Sequence, residues 1–387
     1  MNALQICPNP FPSLGGPAKT YRQFHEAVGV RSLGFVAPSD GINQNPVVPL
    51  ADVVRTLGGR GIRKYYYAPP ARLRKAEKEI GSADLVFIHG LFTHPGVWAA
   101  KTCRRLGVPY AIALHGILDP WALRRTRIAK QLWLRVFGSA MLEKSAAVIC
   151  ATHREAQKAA PYLAGSVMTS VIGWACDETE GLPVGRDRIA LRRELGFSES
   201  DRVLVFLGRL HSMKRPVETV RAMSRLGDSR LKLLVVGPDD DVTTADLEAE
   251  ARALGWDGLR VVGPVFGAEK FGYLCAGDGF ISLSHRENFN FSLVEAMAAG
   301  LPPILSPGND LGWEFAGEGF SWQLRTEDMA EAGAAIQEFA NLPGEGLRRR
   351  GEAAAKWAEE NLGMDRLRSN LEILFETVAG RRRTQRA

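Results

Sequence analysis

Two glutamates, Glu287 and Glu295, stand with seven residues between them in the stretch SHRENFNFSLVEAMAAGLPPILS (284–306). The first follows GFISLS (279–284), an apolar run that reads as a buried strand. The second falls on a helix predicted from about Phe291 onward. A helix N-terminus just beyond a strand attracts anions through its free N–H groups and dipole. A carboxylate cannot hold an anion, but it accepts hydrogen bonds well, including two at once from neighbouring hydroxyls. Upstream, FLGRLHSMKRPVETVRAM (206–223) places Arg209 at a strand end after Gly208, and Lys214 in the following loop. Pro216 sits where a first helical turn accepts it. Two cations beside a helix N-terminus make a phosphate site. One ligand satisfies the whole set: a diphosphate flanked by hydroxyl-bearing rings, that is, a nucleotide sugar. The blander reading makes 208–215 a solvated basic loop, Glu295 a helix-surface residue and Glu287 a partner of the helix dipole.

The segments GRLHSMKRP (208–216) and 284–306 resemble the donor-site motifs of the family 4 retaining glycosyltransferases, enzymes of GT-B architecture with an E-x7-E signature. The resemblance implies that Glu295 binds the ribose diol and that Glu287 contacts the transferred sugar near the reacting carbon. It further implies that Arg209 and Lys214 grip the diphosphate as it leaves, and that Asn288, Phe289 and Asn290 line the donor loop. Asn290 stands where a glycine is frequent, and asparagine tolerates left-handed backbone better than most residues. In NPFPSLGGPAKTYRQF (9–24), Gly15 and Gly16 lie between the first strand and a helix. Similar proteins bring this loop to donor phosphate and acceptor, which assigns Gly16. His115 in AIALHG (111–116) is as open to a structural role as to contact with the donor sugar, and His89 in FIHG (87–90) reads as acceptor-side or structural. Base contacts fall to backbone and shape around GPV (263–265), hence Val265. The wording HGILDPWALR (115–124) is similar to a bacterial polysaccharide-assembly subset. The expected activity is transfer of a hexose-type sugar, UDP- or GDP-linked, with retention, to a saccharide or lipid-linked saccharide. No cofactor or metal is expected. Asp239 and Asp241 have D-x-D spacing, but they open a helix, where acidic residues are favoured anyway.

Positioning these residues requires strands ending side by side. Continuous apolar runs such as LQIC (4–7), DLVFIHG (84–90), RVLVFLGR (202–209) and LKLLVVGP (231–238) alternate with helical patterns throughout. Such runs mark strands covered on both faces, in parallel sheets wrapped by helices. The expected class is α/β, two Rossmann-like doubly wound domains facing across a cleft: 1–173, a linker 174–187 and 188–363, with a helix at 364–380 packing back on the first domain. With 387 residues, two domains are favoured over one. No stretch of about 18 apolar residues appears, and MNALQICPNPFP lacks the pattern of a secretion signal. Five scattered cysteines fit reduced thiols, which points to the cytoplasm. The net charge of +6 admits phosphorylated ligands, an anionic membrane or nucleic acid. The stretch 121–142 carries Arg124, Arg125, Arg127, Lys130 and Arg135 with Trp121 and Trp133 interleaved. It reads equally as a peripheral contact with the inner face of a membrane and as an amphipathic helix whose tryptophans are core. Nucleic acid ranks below both, since no binding motif accompanies the charge. Rival functions are a nucleotide-sugar epimerase or phosphorylase on the same plan, and a non-catalytic nucleotide-sugar-binding assembly partner.

Overall fold

A computed structural model describes residues 2–40, 44–57, 66–124, 127–176, 188–265, 267 and 269–386, with side chains through 379. Most of the expected linker (177–187), Arg125 and the side chains of the terminal basic tail lie outside these. The chain divides into two compact units, Met1–Ala175 with Met364–Ala387, and Cys176–Gly363.

The first unit carries strands β1 (Ala3–Pro8), β2 (Arg31–Val36), β3 (Leu50–Arg55), β4 (Leu85–His89), β5 (Tyr110–Ala113), β6 (Ala147–Cys150) and β7 (Met168–Val171). They form one sheet in the order β3-β2-β1-β4-β5-β6-β7, every pairing parallel. Its helices are α1 (Gly16–Val28), α2 (Pro70–Gly81), α3 (His94–Leu106), α4 (Pro120–Arg124), α5 (Arg127–Trp133), α6 (Ser139–Glu143) and α7 (His153–Ala159). All residues of β1, β4, β5 and β6 are buried, as strands covered on both faces must be.

The second unit holds α8 (Arg188–Glu194), β8 (Arg202–Leu207), α9 (Pro216–Ser224), β9 (Leu231–Val236), α10 (Thr244–Ala253), β10 (Leu259–Gly263) and α11 (Glu269–Cys275). It continues with β11 (Gly279–Ser282), α12 (Phe291–Ala298), β12 (Pro303–Leu305), β13 (Trp322–Gln323), α13 (Met329–Asn341) and α14 (Gly344–Leu362). The strand order is β10-β9-β8-β11-β12-β13, again wholly parallel. The core of this unit includes Leu204, Leu233, Ile281, Ile304 and Phe339.

The terminal helix α15 (Met364–Arg386) belongs to the first unit and packs on α1. Leu367, Leu371, Leu374 and Val378 are at helical spacing and buried, and Arg368 Nε donates to Ala27 O at 2.9 Å. Burying each of these side chains stabilises the contact by roughly 1.5–3 kcal/mol.

The described residues of the stretch 121–142 are helical, as α4, α5, a π turn at Leu134–Gly138 and α6, and positions 125 and 126 lie outside the described residues. A Cβ on Gly138 would lie 2.8 Å from Leu134 and 2.9 Å from Trp133. The turn therefore folds those side chains over a glycine, at a place where a regular helix gives way. Trp133 packs on the core, whereas Trp121 is 40% exposed.

Candidate functional site

In a parallel α/β sheet, ligand-binding loops gather beyond the carboxyl ends of the strands. In the second unit, β8, β9, β10 and β11 deliver Gly208–Arg209, Gly237–Asp241, Pro264–Val265 and Ser284–Asn290 to that one edge.

Lys214 and Glu287 meet there. The Lys214 ammonium forms a short ion pair with Glu287 Oε1, and Ser284 Oγ donates to the same oxygen at 3.3 Å. Both side chains are largely sheltered, 16% and 14% exposed. Local backbone explains the meeting. His211 Nδ1 accepts from Met213 N at 3.0 Å and shapes the turn Ser212–Lys214. His285 N donates to Met213 O at 2.9 Å, tying the β11–α12 loop to that turn. Glu287 N donates to Gly308 O, and Asp310 N to Glu287 O, both at 2.8 Å. Two glycines make room. A Cβ on Gly208 would stand 3.1 Å from Lys214 Cε, and one on Gly237 would stand 1.9 Å from Gly208 O.

Arg209 is separate from this pair. Its guanidinium binds Asp240 at the start of the β9–α10 connection and is 61% exposed. The flanking carboxylates face different neighbours: Asp239 Oδ1 accepts from Thr244 N at 2.9 Å, and Asp241 from Ser212 N at 2.6 Å and Ser212 Oγ at 2.5 Å.

Glu295 is not a solvated helix residue. It is 6% exposed on α12 and accepts from Lys270 Nζ of α11 at 2.8 Å. Asn290 takes φ 59° and ψ 74°, the left-handed conformation, and caps α12 by accepting from Leu293 N at 3.4 Å. Its Nδ2 donates to Asn309 Oδ1 at 2.9 Å, and fully buried Asn309 donates in turn to Ser282 O at 2.9 Å. The side chain that replaces glycine here anchors the loop. Phe289 is buried edge-on against Phe291, Asn288 is half-buried beside it, and Val265 is half-buried two residues past β10.

In the first unit Gly16 opens α1, preceded by Gly15 at φ 76°. His115 follows β5 at φ 55°, and Glu155 holds this turn by accepting from Gly116 N and, at 2.5 Å, from Ala151 N. His115 Nε2 lies 3.0 Å from His89 Nδ1, and His89 Nε2 lies 3.0 Å from Gln5 Oε1. Gln5 Nε2 donates to Tyr21 O at 2.9 Å, so Oε1 faces His89 and must accept. His89 therefore carries its proton on Nε2 and accepts on Nδ1, and His115 donates from Nε2. The lone pair of His115 Nδ1 remains as an acceptor. Burial holds His89 well below the ordinary histidine range, with the charge of His115 adding to it, and burial lowers His115 to about 4. Both are neutral at pH 7.

Sequence reasoning missed Lys270, Glu155, Gln5 and Asn309. Only Lys270 left a trace, a lysine followed by an apolar run on a short helix, and that pattern is too common to read.

Residues 187–357 match the family described as Glycosyl transferases group 1. The D-inositol 3-phosphate glycosyltransferase of Actinosynnema mirum is 30% identical over 291 residues, which cover 70% of this chain and 67% of that protein. The chain belongs to the group 1 glycosyl transferases. Another relative of this glycosyltransferase is the GDP-mannose:cellobiosyl-diphosphopolyprenol alpha-mannosyltransferase of Komagataeibacter xylinus, 28% identical over 79% of this chain and 75% of its own. The fold agrees. HepE of Anabaena, solved in complex with UDP, superposes with a TM-score of 0.79 at 16% identity, over 97% of this chain and 100% of that one. WaaG, a glycosyltransferase involved in lipopolysaccharide biosynthesis, gives 0.69 at 15% identity, over 98% and 100%. The two parallel-sheet units are those of a GT-B glycosyltransferase. No described helix is long and apolar enough to cross a membrane.

Proposed function

We propose that this glycosyltransferase moves a hexose-type sugar, with retention, from a UDP- or GDP-linked donor to a lipid-linked saccharide during polysaccharide assembly. The observation that carries the reading is the Lys214–Glu287 pair, sheltered beside Ser284 at the carboxyl edge of the second sheet. A diphosphate entering there competes with Glu287 for the lysine. Lys214 and Arg209 turn to phosphate, and Glu287 is released to accept hydrogen bonds from the sugar. The cations and the first-turn amides of α9 and α12 face the charge that grows on the leaving phosphate, the kind of preorganisation that supplies several kcal/mol. Glu295, held by Lys270, accepts from the ribose diol. His115 Nδ1 accepts from a sugar hydroxyl, Gly16 contributes backbone to the phosphate and acceptor, and Asn288, Phe289 and Val265 shape the donor pocket. The bond from the anomeric carbon to the diphosphate oxygen breaks as the acceptor oxygen bonds to that carbon on the same face and passes its proton to the leaving phosphate, so the anomeric configuration is preserved.

The acceptor class draws on the Komagataeibacter relative, whose name specifies a diphosphopolyprenol. Charge neutralisation by Arg209 and Lys214 makes the reaction independent of metal, so turnover persists in EDTA. The test is a set of UDP- and GDP-sugars incubated alone and with a polyprenyl-diphosphate disaccharide, the product's anomeric configuration being read by NMR. Transfer with retention is expected. Epimerised donor without acceptor, or an inverted product, overturns the proposal.

A further inference from the structure

The first unit has a cavity of about 520 Å³ that no donor residue lines. Its walls include the aromatic rings of Phe92, Trp98, Trp133 and Phe137, and its cations are Lys101 and Lys130. Each ammonium lies against a ring of the same cavity: Lys101 Nζ is 5.5 Å from the Phe137 centroid, and Lys130 Nζ is 5.7 Å from that of Phe92. Burial, reinforced by the charge of Lys101, lowers His94 from its ordinary value, so the fixed charge at pH 7 is that of the two lysines. A cavity of this size suits a small-molecule body, here one that is apolar with an anionic head.

Outside it the same segment is also apolar. Ile128, Leu132 and Val136 follow one another at four-residue spacing and are 83%, 60% and 56% exposed. A stripe of this kind marks a surface meant to be covered. The cavity also has a telling place in the fold. Phe92 lies three residues beyond His89, in the loop from β4 to α3, on the sheet edge where β5 delivers His115.

We propose that this cavity binds a prenyl diphosphate, the anchor of the lipid-linked acceptor. The diphosphate lies on Lys101 and Lys130, the first isoprene units pack among the four rings, and the chain runs out along Ile128, Leu132 and Val136. Flat aromatic walls match flat, branched isoprene units, and two ammonium groups lining one cavity supply the charge a diphosphate needs. A saccharide on that diphosphate extends toward the edge that holds His115. The inference rests on the acceptor class proposed above.

Calorimetry on the full chain tests it with four probes: geranylgeranyl diphosphate, geranylgeraniol, inorganic diphosphate and anionic phospholipid vesicles free of prenyl lipid. The prenyl diphosphate should bind at least tenfold more tightly than the alcohol or inorganic diphosphate. The variant Lys101→Ala/Lys130→Ala should lose that tenfold, and Val97→Trp, which fills the cavity, should lose as much. Nucleotide-sugar affinity and donor hydrolysis should be unchanged in both variants. Equal binding by wild type and the lysine variant overturns the site, as does tightest binding by inorganic diphosphate. Vesicle binding that prenyl diphosphate does not displace also overturns it and points to a general membrane contact. Donor turnover on the same samples separates the two claims. Prenyl-diphosphate binding without turnover sinks the transferase reading alone, and turnover with no prenyl-diphosphate binding sinks this one alone.

Discussion

The Lys270–Glu295 pair allows stability and donor binding to be measured apart. Its side chains are 10% and 8% exposed, and the Nζ–Oε1 distance is 2.8 Å. Replacing Lys270 by Met leaves a buried carboxylate without its cation, at a cost of about 3 kcal/mol. Replacing Glu295 by Gln as well removes that charge and should recover about 2 kcal/mol. Donor binding should not recover. A charged acceptor of ribose hydroxyls contributes about 1.5–3 kcal/mol, which is about 10–150-fold in donor KM. A chain of two units does not unfold in one step, so stability is best read locally, from hydrogen exchange of the α11 and α12 amides. Lys270→Met should speed that exchange, and Lys270→Met/Glu295→Gln should slow it again while KM for the nucleotide sugar stays high. A double variant with KM within threefold of wild type would remove Glu295 from the ribose. A single variant costing less than about 1 kcal/mol would refute the penalty for taking the lysine from this buried carboxylate.

Glu287→Ala should lower kcat at least about a hundredfold with KM little changed, the pattern of a group that acts in the transition state; a kcat within threefold of wild type counts against it. Arg209→Ala should raise donor KM about tenfold yet shift the midpoint of thermal unfolding very little, because an ion pair this exposed is worth about 0–1 kcal/mol. Gly208→Val should depress transfer by pushing against the Lys214 side chain, and crystals of that variant should show the Lys214–Glu287 contact broken. His115 titrates lower folded than unfolded, so its contribution is fully present above about pH 6.5 and is lost as pH falls toward about 4. The loss approaches about 3 kcal/mol, and His115→Gln should flatten the pH dependence of unfolding of the first unit over that window.

What the sequence disclosed follows from how local each signal is. The runs at 84–90, 202–209 and 231–238 were legible because central parallel strands are apolar on both faces. Strand β2 was not, since Gly34 interrupts its apolar run where a Cβ would crowd Leu50 Cδ1 at 2.8 Å. Nor were β3 and β7, edge strands that are mostly half-buried or exposed. In the site, Lys214, Glu287 and Glu295 could be picked out because each belongs to a short motif. Their partners lie far off in sequence: Lys270 is 25 residues from Glu295, and Lys214 is 73 from Glu287. Pairings over such spans are made by the order of strands in a sheet. The same holds for Arg209, whose companion is Asp240 on the neighbouring β9 connection rather than Lys214 in its own loop.

Arg209–Asp240, Lys214–Glu287 and Lys270–Glu295, at the carboxyl edge of the second sheet, differ in how readily a diphosphate could part them. Arg209–Asp240, with its guanidinium 61% exposed, is held by little and yields at almost no cost. Lys214–Glu287, at 16% and 14%, is partly desolvated, so an incoming anion must replace its attraction rather than merely screen it. Lys270–Glu295, at 10% and 8%, is the most enclosed of these, and parting it means separating two buried opposite charges. A donor therefore finds one cation ready, one that must be exchanged, and one carboxylate fixed in place to receive hydroxyls. The exchange at Lys214 is the step that changes the protein, because it alone turns Glu287 from a salt-bridge partner into a hydrogen-bond acceptor for the sugar. Inorganic diphosphate should accomplish the same exchange without any sugar present. Glu287→Gln, which weakens the competing partner, should then bind diphosphate more tightly than wild type, though it transfers sugar poorly. Weaker diphosphate binding in that variant would mean that Lys214 and Glu287 act as a fixed pair, and the order of release would have to be abandoned.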